Sequence, residues 1–325
     1  MSEQQPSDAS STDQAPTWTI ADVERDTGIG KDTLRVWERR YGFPRPGRDA
    51  HGDRCYDTAQ VQRLRLIRRL LDLGHRPGRV VGLPLTALQD LAARGPRVEP
   101  STAPTPPHAQ ATVLAQWLDW LEADQGERVQ QALRASLQQH GLAQTVQTLV
   151  APMCVAVGEA WAQGRLGVYQ EHLWTEVVQR TLREAIAALD AAPGTPKQAP
   201  RVLLTTTPGE PHLLGLLMAE CFLALQGCER VVLGAQTPLI DIVTAARRLA
   251  VDVVGLSYSA YVGRRDLVDE LVQLRARLPD NVALWVGGAG AQRHGRALPP
   301  GVDVVAQAGD VARRVHAWRA RHRPA

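Results

Sequence analysis

Five short runs of branched apolar residues in the last third of the chain constrain its fold more than any other feature. They are RVLLTTT (201–207), RVVLGA (230–235), VDVVGLS (251–257), VALWVGG (282–288) and VDVVAQ (302–307), separated by stretches of helical character. Continuous Val/Leu runs suit strands covered on both faces, and such strands joined by crossover helices form a parallel sheet. Residues 201–325 are therefore expected to be a doubly wound α/β (Rossmann-like) domain, whose ligand lies at the carboxyl ends of the strands.

Two proline-rich stretches divide what precedes that domain. GPRVEPSTAPTPPHA (95–109) and DAAPGTPKQAP (190–200) read as linkers, leaving a head over 17–94 and a middle over 110–189. Residues 1–16 are polar and read as a disordered arm, with no basic start and apolar stretch of a secretion signal. The middle has no interior proline except Pro152, and Val113, Leu114, Trp117, Leu118 and Leu121 recur at helical spacing, which predicts a four-helix bundle. No run approaches the roughly 18 apolar residues of a membrane span, so no membrane partner is expected. The four cysteines, Cys55, Cys154, Cys221 and Cys228, lack CxxC spacing, which speaks against a zinc site or disulfide framework and fits a cytoplasmic protein.

The net charge is only +3, yet residues 17–84 carry 14 Lys and Arg against nine Asp and Glu. A basic block on a nearly neutral chain points to a polyanion. Thr19 caps a predicted helix over 20–26, Thr27-Gly28-Ile29 forms a turn, and a second helix spans 31–41. That second helix carries Arg35, Arg39 and Arg40, suited to phosphates and to guanine edges in a major groove. Gly42 to Tyr56 reads as a wing bearing Arg45, Arg48 and Arg54, and Thr58 caps a long helix over 59–73 ending at Gly74. The run LRVWERRYGFPRPGRDAHGDRCY resembles the winged helix-turn-helix of the MerR family in its Arg35, its Trp37-Glu38 pair and its Arg54-x-Tyr56. The resemblance implies binding to double-stranded promoter DNA through Lys31, Arg35, Arg39, Tyr41, Arg54 and Tyr56.

In the tail, the first strand runs into Pro208-Gly209-Glu210-Pro211-His212-Leu213-Leu214-Gly215. A neutral imidazole at a strand-to-helix turn is a good transition-metal ligand, and a carboxylate two residues earlier can fix its tautomer. Gly215 removes a side chain where a large flat group would approach. Glu210-x-His212-x-x-Gly215 resembles the Asp-x-His-x-x-Gly signature of cobalamin-binding domains, with Glu in place of Asp. The resemblance implies His212 as the lower axial ligand of cobalt. It also implies that Ser257, Ser259, Gly287 and Gly288 contain the nucleotide tail, the serines by hydrogen bonds and the glycines by leaving room.

In the middle, Trp161 is followed after nine residues by Glu171-His172, and Val168, Glu171 and His172 share one helix face. This pattern, behind a MerR-like head and before a cobalamin-like tail, resembles the CarH/LitR-type B12-dependent photoreceptors. That resemblance implies that Trp161, Val168, Glu171 and His172 cap the adenosyl group of adenosylcobalamin. It further implies a homo-oligomer, dimer or tetramer in the dark, that represses until light cleaves the cobalt–carbon bond. Ala162 departs from members that carry histidine there as a post-illumination ligand. Two other readings are a MerR-type sensor of a cobalamin or another tetrapyrrole without photochemistry, and a corrinoid methyltransferase subunit. The MerR-like head speaks against an enzyme.

Overall fold

A computed structural model describes residues 17–72, 75–94, 108–192 and 197–322. The expected arm, nearly all of the first linker, Gly74 and the centre of the second linker lie outside these residues. The chain divides into two compact units, 1–92 and 93–325.

The first unit begins with β1 (Thr17–Thr19), α1 (Ile20–Thr27) and α2 (Lys31–Tyr41). Thr19 and Asp22 form a reciprocal capping box at the start of α1, each satisfying a backbone N–H that the helix leaves unpaired. Gly28 ends α1 in the left-handed conformation, φ 66°, which reverses the chain into α2. Then come β2 (Gly47–Arg48), β3 (Arg54–Asp57), α3 (Thr58–Asp72), α4 (Pro77–Val80) and α5 (Leu85–Arg94). The strands form an antiparallel sheet in the order β1-β3-β2. Asp57, not the expected Thr58, holds the start of α3, accepting the Gln60 amide at 2.7 Å. Val23, Leu34, Trp37, Tyr56, Leu64, Ile67 and Leu70 make the core. Full burial of each apolar side chain there stabilises by about 1.5–3 kcal/mol.

The second unit opens with α6 (His108–Glu122) and α7 (Gly126–Thr145), a π-helical turn (Val146–Val150), α8 (Ala151–Ala162) and α9 (Val168–Ala191). Gly141 breaks the helical dihedrals inside α7, so four helical rods result. By length and composition the stretch Gly126–Ala162 is apolar enough to span a membrane. In this fold Val129, Leu133, Val146, Val150, Met153 and Val157 spend that apolarity on the bundle core.

The sheet follows: β4 (Gln198–Thr205), α10 (Leu214–Leu225), β5 (Cys228–Gly234), α11 (Leu239–Arg248), β6 (Val253–Ser257), α12 (Arg264–Arg277), β7 (Ala283–Gly287), α13 (Gly288–His294), a 3-10 turn (Gly295–Ala297), β8 (Val302–Val305) and α14 (Asp310–Arg321). All pairings are parallel, in the order β5-β4-β6-β7-β8. This doubly wound order reverses direction between β4 and β6, where such sheets open a crevice for ligands. The first strand starts at Gln198, three residues before its apolar run, because Gln198 already pairs with Cys228 on the neighbouring edge.

Alternation along the strands separates the two faces. Val202, Leu204, Val253 and Trp285 face α10, α14 and the helical bundle in one cluster. Leu203, Val254, Leu256, Leu284 and Val286 face α11 and α12 in another. α10 is apolar on nearly all sides because it lies between the sheet and α9.

Candidate functional site

The turn after β4 carries a hydrogen-bonded polar cluster around Glu210 and His212. Glu210 is buried, its side chain 4% exposed, whereas the His212 side chain is 53% exposed. Glu210 Oε1 accepts from His212 Nδ1 at 2.6 Å and from the His212 amide at 3.1 Å. Its Oε2 accepts from the Ser259 amide at 2.6 Å. Thr206 Oγ1 donates to the Glu210 carbonyl and fixes the same turn. Burial alone would raise the Glu210 pKa, but hydrogen bonds from His212 and Ser259 outweigh it and hold the carboxyl below its ordinary value. Glu210 is therefore an anion at neutral pH, and Nδ1 of His212 is the donor between them. The imidazole lone pair is left on Nε2, on the half-exposed side of the ring. A neutral imidazole backed by a buried carboxylate is a donor set that fits a cobalt lower ligand.

The remaining expected residues of the tail gather at the same strand ends. Ser257 closes β6 and is buried. Ser259 contributes its amide to Glu210, and its hydroxyl accepts from the Tyr261 amide at 3.3 Å. The glycines also set the packing of these elements. A β-carbon on Gly215 would lie 2.5 Å from Ser257 Oγ, so this glycine seats α10 against the end of β6. Gly288, φ +89°, brings α13 against the Tyr258 carbonyl, 2.2 Å from where its β-carbon would be. Gly287 is extended and lies beside Val305. Gly288 thus allows backbone to pack on backbone beside Tyr258, next to the Ser259 amide that Glu210 accepts.

Sequence reasoning did not single out Tyr261, Thr207, Tyr258 or Glu270. The Tyr261 ring centroid lies 5.6 Å from that of His212. Tyr258 is fully buried, with its hydroxyl 3.3 Å from Glu270 Oε2, and burial raises the pKa of both groups. The Thr207 hydroxyl beside this pair partly counters that rise. The TTT run at 205–207 was the available signal, since hydroxyls ending a buried strand need partners.

In the bundle, the start of α9 is pinned by Gln170. Its Oε1 accepts the Gly167 amide at 2.7 Å, and its Nε2 donates to Leu121 O at 3.0 Å and Asp124 Oδ1 at 3.0 Å. Val168 begins the helix, and Glu171 follows one turn later, half-buried, accepting from Thr175 Oγ1 at 2.9 Å. His172 is 70% exposed, with Nε2 3.7 Å from Glu171. Trp161 ends α8, half-buried against the bundle core, and Ala162 beside it is buried.

In the first unit, α2 presents an exposed face that includes Arg35, Val36, Arg39 and Arg40. Arg35 pairs with Asp32 at 3.0 Å, and Lys31 lies 3.5 Å from Glu24. Arg54 is bound to Glu38 at 2.9 Å, which ties the wing to α2. Tyr41 is half-buried at the rim of a groove shared with Arg45, Gln60 and Arg63. Tyr56, expected as a DNA contact, is 0% exposed and packs in the core, its hydroxyl without a hydrogen-bond partner and near Glu38, Arg54, Arg35 and Arg48, so it lies beneath the basic face and not on it.

Comparison with known proteins agrees with this architecture. Residues 18–83 match the MerR HTH family regulatory proteins. Residues 200–315 and 115–186 match two B12 binding domain families, the second covering the bundle. The chain is 33% identical over 272 residues to the HTH-type transcriptional repressor CarH of Myxococcus xanthus, covering 82% of this chain and 87% of that protein. It is 32% identical over 292 residues to the HTH-type transcriptional repressor CarA of the same organism, covering 87% and 90%. Among solved structures, the monomethylamine corrinoid protein of Methanosarcina barkeri aligns with 61% of this chain and 94% of its own, at 16% identity and a TM-score of 0.48. The curated relatives that match over most of the chain are transcriptional repressors. A MerR-type head joined to a B12-binding bundle and sheet, with this identity over most of both chains, places the protein in the family of B12-binding MerR-type transcription regulators that includes CarH and CarA.

Proposed function

We propose that the chain is a light-responsive repressor that holds promoter DNA in the dark with adenosylcobalamin bound and releases it after illumination. The observation that carries this reading is the hydrogen bond by which buried Glu210 prepares His212 for a metal, in a chain that also carries Trp161 near the end of α8 and Glu171 in the first turn of α9. When bound, adenosylcobalamin supplies a cobalt–carbon bond that visible light breaks. His212 would hold the lower face through Nε2, and Ser257, Ser259, Gly287 and Gly288 would border the nucleotide tail. Trp161, Val168, Glu171 and His172 would cover the upper face.

The adenosyl group would pack against Trp161, which also packs on the bundle core, and losing that group would remove a contact that favours one packing of the bundle over another. The active form in the dark is a homo-oligomer, dimer or tetramer, acting in the cytoplasm, and its DNA contacts are Lys31, Arg35, Arg39, Tyr41 and Arg54. Size-exclusion chromatography with adenosylcobalamin, run dark and after green light beside a DNA-binding titration, tests this. Loss of the large species together with weaker DNA binding is expected. An unchanged elution volume and unchanged DNA affinity after illumination would refute the light response.

A second reading is favoured by Ala162, which puts a buried methyl group where some members of the family carry histidine. The chain would then sense which cobalamin is present, without photochemistry. DNA titrations in the dark with adenosyl-, methyl- and hydroxocobalamin separate the two, because only this second reading makes illumination irrelevant.

A further inference from the structure

The ion pair that ties the wing to α2 puts a carboxylate into the basic face of the first unit. The side chains of Glu38 and Arg54 are 28% and 27% exposed, so the pair stands at the surface and not in the core. Glu38, Arg54, Arg35 and Arg48 all act on the Tyr56 hydroxyl buried beneath them, so one carboxylate sits among three guanidinium groups. Its presence there needs a reason, because a negative charge weakens the attraction of the whole face for phosphates. Stability is a poor reason, since a partly exposed ion pair contributes little to it.

The geometry supplies a better one. Arg54 Nε, on the central strand β3, donates to Glu38 Oε2 on α2 at 2.9 Å. Glu38 therefore grips the guanidinium by its side. That bond leaves the two terminal amino groups, which can form a bidentate fork on a phosphate or a guanine edge, for another partner. Arg48 stands opposite Arg54 across the β2–β3 pairing, and like charges placed that way repel. Without Glu38, that repulsion and the many rotamers of a long side chain would leave the fork with no fixed direction.

We propose that Glu38 is a specificity-determining residue for DNA: it positions the Arg54 fork in one pose, and its charge lowers the attraction of the same face for DNA of any sequence. This assignment rests on the reading that α2 and the wing meet double-stranded DNA. The test uses the full chain with adenosylcobalamin in the dark and two duplexes of equal length, one that wild type selects from a random pool and a scrambled version of it. Fluorescence anisotropy gives both affinities at several salt concentrations for wild type, Glu38→Gln, Glu38→Ala, Arg54→Ala and the double alanine variant, with thermal melting as the folding control. Glu38→Ala is expected to lower the ratio of selected to scrambled affinity by about tenfold, the size of one lost bidentate base contact. Glu38→Gln, which keeps the shape without the charge, is expected to bind the scrambled duplex more tightly and to steepen its salt dependence by about one counterion. In the Arg54→Ala background the ratio should no longer respond to Glu38. Equal changes on both duplexes would overturn the assignment, because Glu38 would then act only as a charge. So would losses that multiply in the double variant, because Glu38 would then act independently of Arg54. If Glu38→Ala melts early, Glu38→Gln decides, and an unchanged ratio and salt dependence in it overturns the assignment. Arg54→Ala with the wild-type ratio, or a wild type that selects no duplex, would instead refute the reading of the wing as a DNA contact, and this assignment with it.

Discussion

Replacing Glu210 with glutamine removes one charge and one acceptor from the lower face of the site and little else. In the native turn one carboxylate oxygen takes two N–H donors of His212 and the other takes the Ser259 amide. Glutamine can keep its oxygen toward His212, but its NH2 then meets the Ser259 N–H, donor against donor. If it flips, the conflict moves to His212. Either way one charge-assisted bond is lost and another is weakened, and such bonds are worth about 1.5–3 kcal/mol each. At about 1.4 kcal/mol per tenfold change, the expected loss of cobalamin affinity is about 10- to 100-fold, the range typical of partners that orient a metal-bound histidine. Titration with hydroxocobalamin followed by absorbance measures the affinity. Electron paramagnetic resonance of the cob(II)alamin-loaded protein reports the axial nitrogen directly, since a bound imidazole splits each cobalt line in three. His212→Ala should abolish that splitting, and Glu210→Gln should keep it at reduced occupancy. An affinity within twofold of wild type for Glu210→Gln would refute the argument that the buried carboxylate prepares the histidine.

Other expectations follow from the same geometry. Gly288→Ala must place a methyl group 2.2 Å from the Tyr258 carbonyl at φ +89°. It should cost more than the about 1–2 kcal/mol of a left-handed alanine alone and lower Tm by about 2–4 °C per kcal/mol, read by thermal melting. Burial holds the Glu270 carboxyl above its ordinary pKa, so the native state binds that proton more tightly than the unfolded chain. Its contribution to stability therefore falls as pH rises from about 4.3 through the raised folded value, and Glu270→Gln should gain on wild type between pH 4 and pH 8 in denaturant titrations. Tyr56→Phe removes a buried hydroxyl that has no partner, so it should leave both Tm and DNA affinity unchanged or improved. Arg39→Ala, on the exposed face of α2, should weaken specific DNA binding by about 1–3 kcal/mol in a gel-shift titration without changing Tm.

Local signals in the sequence carried much of this architecture. The capping threonine at 19, the glycine at 28 and the five apolar strand runs act over a few residues, and each was legible from neighbours alone. Glu210 and His212 are two residues apart, so their hydrogen bond could be expected from spacing. The Ser259 amide that completes the carboxylate's coordination comes from 49 residues away, and no spacing rule reaches that far. The glycines at 215 and 288 were visible as glycines, but what they approach is fixed by the pairing of β4, β6 and β7. Tyr56 is legible as an aromatic of the basic wing, but its complete burial comes from packing in the core of the unit, which no local spacing reports. Cys154 and Trp174 carry no motif, and only the packing of α8 on α9 brings them together.

The bundle and the sheet share their apolar interior. One cluster runs from Trp117 and Leu133 through Trp174, Leu216 and Val253 to Trp285 and Trp318. The proline-rich stretch at 190–200 looks like a seam in the text of the chain, but it is no seam in cooperativity. The two parts should melt in a single transition, and neither should fold when expressed without the other, because the bundle would expose the face that α10 covers and the sheet part would expose the side of α10 that meets α9. A sensor built this way can be shuffled between proteins only as one piece. Any change on α9 is felt directly by α10, the helix that follows His212.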